Sequence, residues 1–202
     1  NMWNGMRSTG IPTVGQPYWY EPGYAVPSFK NCFIRSQSDC SGQKLKGIDL
    51  SGMNTISLSI NFTNAFLGNA NLFGANLSRI NFNNAYLGNA DLRKTVIVKD
   101  GPGNMQARSF YKADFRGAAL RNVEVKSAQF YGSKWDEATL FNVELSDSDF
   151  RTATFSSARF FGKNNMTKNV LTNTIWDDAD ISKHTDFSGS GNCPEALGQK
   201  CK

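Results

Sequence analysis

Residues 60–72 read INFTNAFLGNANL, and residues 80–92, twenty positions later, read INFNNAYLGNADL. Ten of these thirteen positions are identical, and a shorter period of five runs inside each copy. A repeat at fixed period builds a solenoid, in which each unit buries its apolar face against its neighbours. With Phe62 as the centre of a five-residue unit, the next centres are Leu67, Leu72, Leu77, Phe82, Leu87, Leu92 and Ile97. Two residues before each centre stand Ile60, Ala65, Ala70, Ala75, Ile80, Ala85, Ala90 and Thr95, most of them small. The phase resumes at Phe115 and runs through Leu120, Val125, Phe130, Trp135, Leu140, Leu145, Phe150 and Phe155 to Phe160. Helix needs a period near 3.6 and strand a period of 2, so a period of five fits neither.

A unit with one large and one small inward residue can turn a corner each time. Four corners make one coil of twenty residues, which is why the best self-match lies at twenty. Stacked coils at the inter-strand spacing of about 4.8 Å predict vertical columns of large side chains. Phe62 should lie on Phe82, Leu67 on Leu87, Phe130 on Phe150, and Phe115 on Trp135 on Phe155. The units AFLGN, ANLFG, ANLSR, AYLGN and ADLRK resemble those of the pentapeptide-repeat proteins. That resemblance implies an all-β fold, a right-handed quadrilateral β-helix. It covers residues 48–97 and 113–162 well and 174–189 loosely. The organisation expected is a Pro- and aromatic-rich arm and cap over 1–47, a β-helix over 48–189 and a cap over 190–202. An insertion is expected at 98–112 and a more polar break at 163–173.

Four cysteines flank the repeat and none lies inside it. Seven residues separate Cys32 from Cys40, and seven separate Cys193 from Cys201. Because the ends of a solenoid are far apart, the easy pairing is local, Cys32 with Cys40 and Cys193 with Cys201. Two disulfides imply an oxidising compartment: periplasm, thylakoid lumen or cell exterior. Four buried free thiols in a cytosolic protein are the alternative. A zinc site is the poorer reading, since the chain has one His and this spacing is not a usual finger's. No apolar run approaches the roughly 20 residues that span a bilayer, so peripheral contact with a membrane complex is the most a membrane role allows. The start at Asn1, with no initiator Met or signal-type apolar stretch, reads as a processed or trimmed form.

The net charge is +5, unevenly placed. Residues 48–187 hold fifteen Lys/Arg against fourteen Asp/Glu, and the two ends hold seven against three. In the N-terminal arm, Pro12, Pro17, Pro22 and Pro27 lie five apart, which forbids helix and favours extended chain. Trp3, Tyr18, Trp19, Tyr20, Tyr24 and Phe29 crowd the same arm. They either pack on the first coil or form a docking strap for a partner, since aromatic anchors dominate interfaces. Phe66 and Tyr86 should stack on one outer face, a further contact candidate. Asn61-Phe-Thr, Asn76-Leu-Ser and Asn165-Met-Thr match the glycosylation sequon, but an Asn-rich repeat produces such matches by composition.

Catalytic chemistry finds little to work with. His184 is the sole histidine, and the pairs Asp136/Glu137 and Asp177/Asp178 sit at outward positions of an even wall. No phosphate-binding loop, dinucleotide fingerprint, EF-hand or HExxH motif is present. The sequence reads as no enzyme and implies no cofactor. It suits an interaction scaffold, a subunit or assembly factor of a larger extracytoplasmic complex or a self-associating rod. In quinolone-resistance members of the family, inserted loops help engage DNA gyrase, but a DNA mimic needs an acidic face. Residues 48–97 offer only Asp49 and Asp91 against Arg79, Arg93 and Lys94. A polyanion binder would use Lys30, Arg35, Lys44 and Lys46; a glycan-binding wall would use Phe66, Phe73 and Tyr86.

Overall fold

A computed structural model describes residues 28–29, 32–33, 38–53, 59–78, 80–97 and 109–202. These build a β-solenoid of about six coils, with no α-helix among the described residues. Its short strands are β1 (Ser28–Phe29), β2 (Cys32–Phe33), β3 (Ser38–Asp39), β4 (Ile60–Asn61), β5 (Ile80–Asn81) and β6 (Val96–Ile97). They continue with β7 (Ala119–Arg121), β8 (Glu124–Lys126), β9 (Thr139–Phe141), β10 (Glu144–Ser146), β11 (Arg159–Phe161) and β12 (Asp180–Ile181). Apart from the antiparallel pair β1–β2, every ladder is parallel: β3–β4–β5, β6–β8–β10 and β7–β9–β11–β12. The remaining side of the coil is a row of single bridges, Lys44 to Phe66 to Tyr86 to Asp114 to Lys134 to Thr154 to Ile175. Sides this short need no regular strand, because each coil takes its hydrogen bonds from the next.

The corners explain the Asn and Gly content. At most described corners the second residue after the centre is left-handed, as at Asn64 (φ 59), Asn69 (φ 57), Gly74 (φ 65), Asn84 (φ 53) and Asn89 (φ 57). Gly and Asn enter that region most readily. Many corners also close a turn, with the Ala65 N–H donating to the Phe62 carbonyl at 2.9 Å and the Ala85 N–H to the Phe82 carbonyl at 2.9 Å. Outward Asn and Asp brace the same corners. The carboxamide or carboxylate oxygens of Asn61, Asn71, Asp91 and Asp149 accept the backbone N–H two residues on, at 3.0–3.1 Å.

Every centre and small partner named for residues 60–97 is buried. The columns form as expected and extend further. Phe62, Phe82, Phe110, Phe130 and Phe150 stack in one ladder with centroids 5.6, 5.4, 4.8 and 4.7 Å apart. Beside it run Phe115, Trp135, Phe155 and Trp176 at 4.2, 5.8 and 4.1 Å. Where tryptophan replaces phenylalanine, a hydroxyl replaces the inward alanine. Trp135 Nε1 donates to Ser133 Oγ at 2.7 Å and Trp176 Nε1 to Thr174 Oγ1 at 2.9 Å, which satisfies two buried indole N–H groups.

Three boundaries differ from the sequence expectation. Coil geometry begins at Ser38 rather than Ile48, since Ser38 pairs with Ile60 and Cys40, Leu45 and Leu50 occupy buried centre positions. The two extra residues of that coil hid it from a search at period twenty. The phase resumes at Ser109–Phe110, not at Phe115: Ser109 bridges Gln129 and Phe110 is buried. Finally, 163–173 is no break. Coils continue through it with one added residue, pairing Glu144 with Asn165, Asp149 with Val170 and Thr154 with Ile175. Met166, Leu171 and Trp176 are its buried centres. The six-residue step from Ile181 to Phe187 is present as expected, with Phe187 buried.

Both disulfides form as read, Cys32–Cys40 and Cys193–Cys201. Cys40 occupies a centre position, and Cys193 and Cys201 pack on the core beside buried Leu197 of the 3₁₀ segment Glu195–Cys201. Each closes a loop of sequence separation 8, for which chain entropy predicts about 2.5 kcal/mol. Reduction should therefore expose amides near Ser38–Leu50 and Phe187–Cys201 while leaving those around Phe130 protected. Hydrogen exchange measures this, and equal loss of protection along all coils would contradict it.

Candidate interaction surface

With large and small apolar side chains filling most of the described inward positions, the outward side chains form columns that repeat once per coil. Each column is set by its offset from a centre. Phe66 and Tyr86 precede Leu67 and Leu87, bridge to each other and bring their rings to 6.1 Å. Phe66 is 55% exposed. The Tyr86 ring lies flat on two glycines: a Cβ added at Gly68 would meet Tyr86 Cε1 at 2.7 Å, and one at Gly88 would clash with the same ring. The glycines of AFLGN and AYLGN thus make room for that ring. On another column Tyr111 and Tyr131 stack at 5.4 Å, with Lys112 Nζ 5.1 Å from the first ring and the Arg151 guanidinium 5.5 Å from the second.

A third column carries Phe73, Arg93, Arg121, Phe141 and Phe161, each following its centre by one residue. The Arg93 guanidinium lies 5.7 Å and Lys94 Nζ 5.3 Å from the Phe73 centroid, and the Arg121 guanidinium lies 4.8 Å from that of Phe141. Sequence reasoning took Phe73 alone from this group. The one-residue offset shared by Phe73, Arg93 and Arg121 could have found the rest.

Several outward charges are paired locally. Asp91, Asp114 and Asp149 each hold the arginine two residues on, with closest contacts of 2.6, 2.7 and 2.7 Å. The Arg93 hydrogen bond keeps the Asp91 carboxyl below its usual range, against burial that raises it. For Asp149, burial pushes upward, and the Arg151 hydrogen bonds outweigh it to leave the carboxyl lowered. Such depressed carboxylates stabilise the fold above their ordinary pKa and lose that contribution as pH falls through the folded value. At half-exposed arginines each is worth about 0–1 kcal/mol. His184 is exposed, as are Asp177 and Asp178. The sequon asparagines serve the fold: Asn61 Nδ2 donates to Asp39 Oδ1 at 3.1 Å and Asn165 Nδ2 to both Glu144 carboxylate oxygens at 2.8 and 2.9 Å.

Of the remaining expected contact residues, Trp3, Tyr18, Trp19, Tyr20 and Tyr24 lie outside the described residues. Phe29 falls in β1, its side chain outside them. Lys44 and Lys46 are exposed on the first coil, and Lys30 and Arg35 lie outside the described residues. Among the described residues no group of His, Cys, Asp and Glu is arranged to hold a metal ion. Nor, among the described residues, is any helix long and apolar enough to cross a membrane.

Five-residue corners with one small and one large inward side chain, stacked into parallel coils, define a β-solenoid of the pentapeptide type. Residues 60–97 match the family model of pentapeptide repeats in 8 copies. The match makes this stretch of the solenoid similar to the pentapeptide-repeat family, whose members are generally non-enzymatic structural or interaction proteins. Among solved structures it is similar to HetL, a pentapeptide repeat protein involved in heterocyst differentiation regulation from the cyanobacterium Nostoc sp. (20% identity, 77% of each chain, TM-score 0.40). It is also similar to QnrB1, a plasmid-mediated fluoroquinolone resistance protein (22% identity, 77% of this chain and 80% of that one, TM-score 0.41). A third similar structure is a pentapeptide repeat protein of the Arabidopsis thaliana thylakoid lumen (22% identity, 77% and 72%, TM-score 0.34). No curated protein matches the chain significantly.

Proposed function

We propose that the chain is a non-enzymatic scaffold of an oxidising, extracytoplasmic compartment, acting as a subunit or assembly factor of a larger complex. The observation that carries this reading is the use of all four cysteines in two disulfides, one at each end of the solenoid. Such bonds persist where thiols are oxidised and are rare where glutathione keeps them reduced. The walls support the second half of the reading: rigid columns of aromatic and cationic side chains are the residue types that anchor protein interfaces. Phe66 over Tyr86 favours a second reading, in which the apolar column holds a glycan or a second copy of the chain.

The test is size and content. Isolated from its native source without reduction, the full chain should elute with a defined assembly, and mass spectrometry should identify its companions. A chain lacking residues 1–29 tests whether the aromatic arm does the docking. A monomer with four free thiols, recovered from cytoplasm, would sink the proposal.

A further inference from the structure

Three arginines follow an aspartate by two residues and are neutralised by it: Arg93 by Asp91, Arg116 by Asp114 and Arg151 by Asp149. Arg121 occupies the same place in its unit, but the residue two before it is Ala119, exposed and without charge. Among the described residues Arg121 has no acidic partner, and its guanidinium rests on the Phe141 ring instead. Lys94 also has none and rests on Phe73. These two cations share one shallow cleft, lined by Phe73, Arg93, Lys94, Arg121 and Asn122. Contact with a ring fixes a cation's position without cancelling its charge. Among the described residues the cleft therefore holds two uncompensated positive charges over an aromatic floor, beside a third already committed to Asp91.

We propose that this cleft binds a carboxylate side chain of a protein partner, supplying to Arg121 from outside what Asp91 supplies to Arg93 from within. The inference rests on the interaction reading above and names the partner's chemistry. The chain itself shows the geometry such a contact takes: Arg93 Nε and one terminal nitrogen donate to the two Asp91 oxygens at 2.8 and 2.6 Å. Paired donors of this kind match a planar carboxylate, and the Phe73 ring suits the methylenes of a glutamate. A continuous polyanion fits less well. Its affinity depends on many neutralised charges in succession, whereas Asp91, Glu124 and Glu144 lie on adjoining columns of the same coils.

The test uses the full chain with its disulfides intact and four probes: acetyl-hexaglutamate amide, its hexaglutamine counterpart, a uronate hexasaccharide and inorganic phosphate. Hexaglutamate should shift the amide resonances of Lys94, Arg121 and Asn122, and hexaglutamine should not. Ala119→Asp, at an exposed site, places the missing carboxylate in cis and should weaken hexaglutamate at least tenfold. Lys94→Ser with Arg121→Ser should do the same, and Lys112→Ser on the tyrosine column should leave binding unchanged. Unaltered binding by Ala119→Asp, shifts spread over every basic corner, or tighter binding of uronate or phosphate would each overturn the assignment. Co-purification separates the two proposals. A partner captured equally by the wild-type and Ala119→Asp chains leaves the scaffold standing and removes the cleft, whereas a wild-type chain that captures nothing removes both.

Discussion

Replacing Phe130 by aspartate should abolish folding. Phe130 is 1% exposed in the middle of the five-phenylalanine ladder, 4.8 Å from Phe110 and 4.7 Å from Phe150, with Trp135 edge-on at 5.2 Å. The substitution removes a buried aromatic, which alone costs about 3–5 kcal/mol. It also puts a carboxylate where no described basic side chain is buried, adding several kcal/mol of desolvation. The sum reaches the whole stability of a typical domain, about 5–15 kcal/mol. Circular dichroism of the variant should show no cooperative melt. A control, Tyr131→Asp one residue on, faces outward and should fold, losing only its surface contacts with the Tyr111 ring and the Arg151 guanidinium. A well-folded Phe130→Asp chain would mean that the inward register is wrong by at least one position.

The register was legible because packing enforces it strictly: a narrow interior takes one large and one small side chain per corner, and the pattern recurs eighteen times. The disulfides were legible for a related reason, since a solenoid separates its ends and leaves only local pairings. What the sequence hid is where polar groups took inward places. Phe110 was passed over because the residue two before it in sequence, Arg108, breaks the small-residue pattern. Residues 163–173 looked like a polar break because Asn164 and Asn169 stand there as well. Composition cannot tell a solvated asparagine from one that is 1% exposed. The [ST]-x-W pattern of Ser133-Lys-Trp135 and Thr174-Ile-Trp176 was a signal of inward hydroxyls, readable only once tryptophan is seen to need a partner for its N–H. The outward site was harder to read. Arg121 differs from Arg93 only in having Ala119 instead of an aspartate, and that difference gains meaning when the two are seen in one column.

The inward asparagines lead to the second large effect. The corners at Leu140 and Leu145 do not close a turn of their own, so the N–H groups of Val143 and Ser148 find their acceptors one coil away. Asn164 Oδ1 accepts the first at 3.1 Å and Asn169 Oδ1 the second at 2.8 Å. Asn169 Nδ2 meanwhile donates to the carbonyls of Leu145 and Met166, at 2.8 Å each. Asn169→Leu keeps the branching and the number of heavy atoms and strips all three bonds. At about 1–3 kcal/mol for each buried group left unpaired, and with some relaxation, the expected loss is about 3–5 kcal/mol by denaturant unfolding. Asn173→Leu is the contrast in position: it is exposed, with φ 57, and its cost should be that of a corner alone, about 1–2 kcal/mol. Asn169→Asp gives a sharper reading. Ionised, it keeps the acceptor for Ser148 but sets a negative charge against two carbonyl oxygens in a dry interior, so its folded pKa must rise above the ordinary value of about 3.9. Its stability should be greatest below that value and should fall as pH rises through the folded pKa, opposite in sign to the carboxylates of Asp91 and Asp149. A flat pH profile, or a loss under 1 kcal/mol for Asn169→Leu, would show that water or a shifted backbone replaces the asparagine. The polar stretch would then be a tolerated irregularity, not the bonded joint that carries the coil past its extra residue.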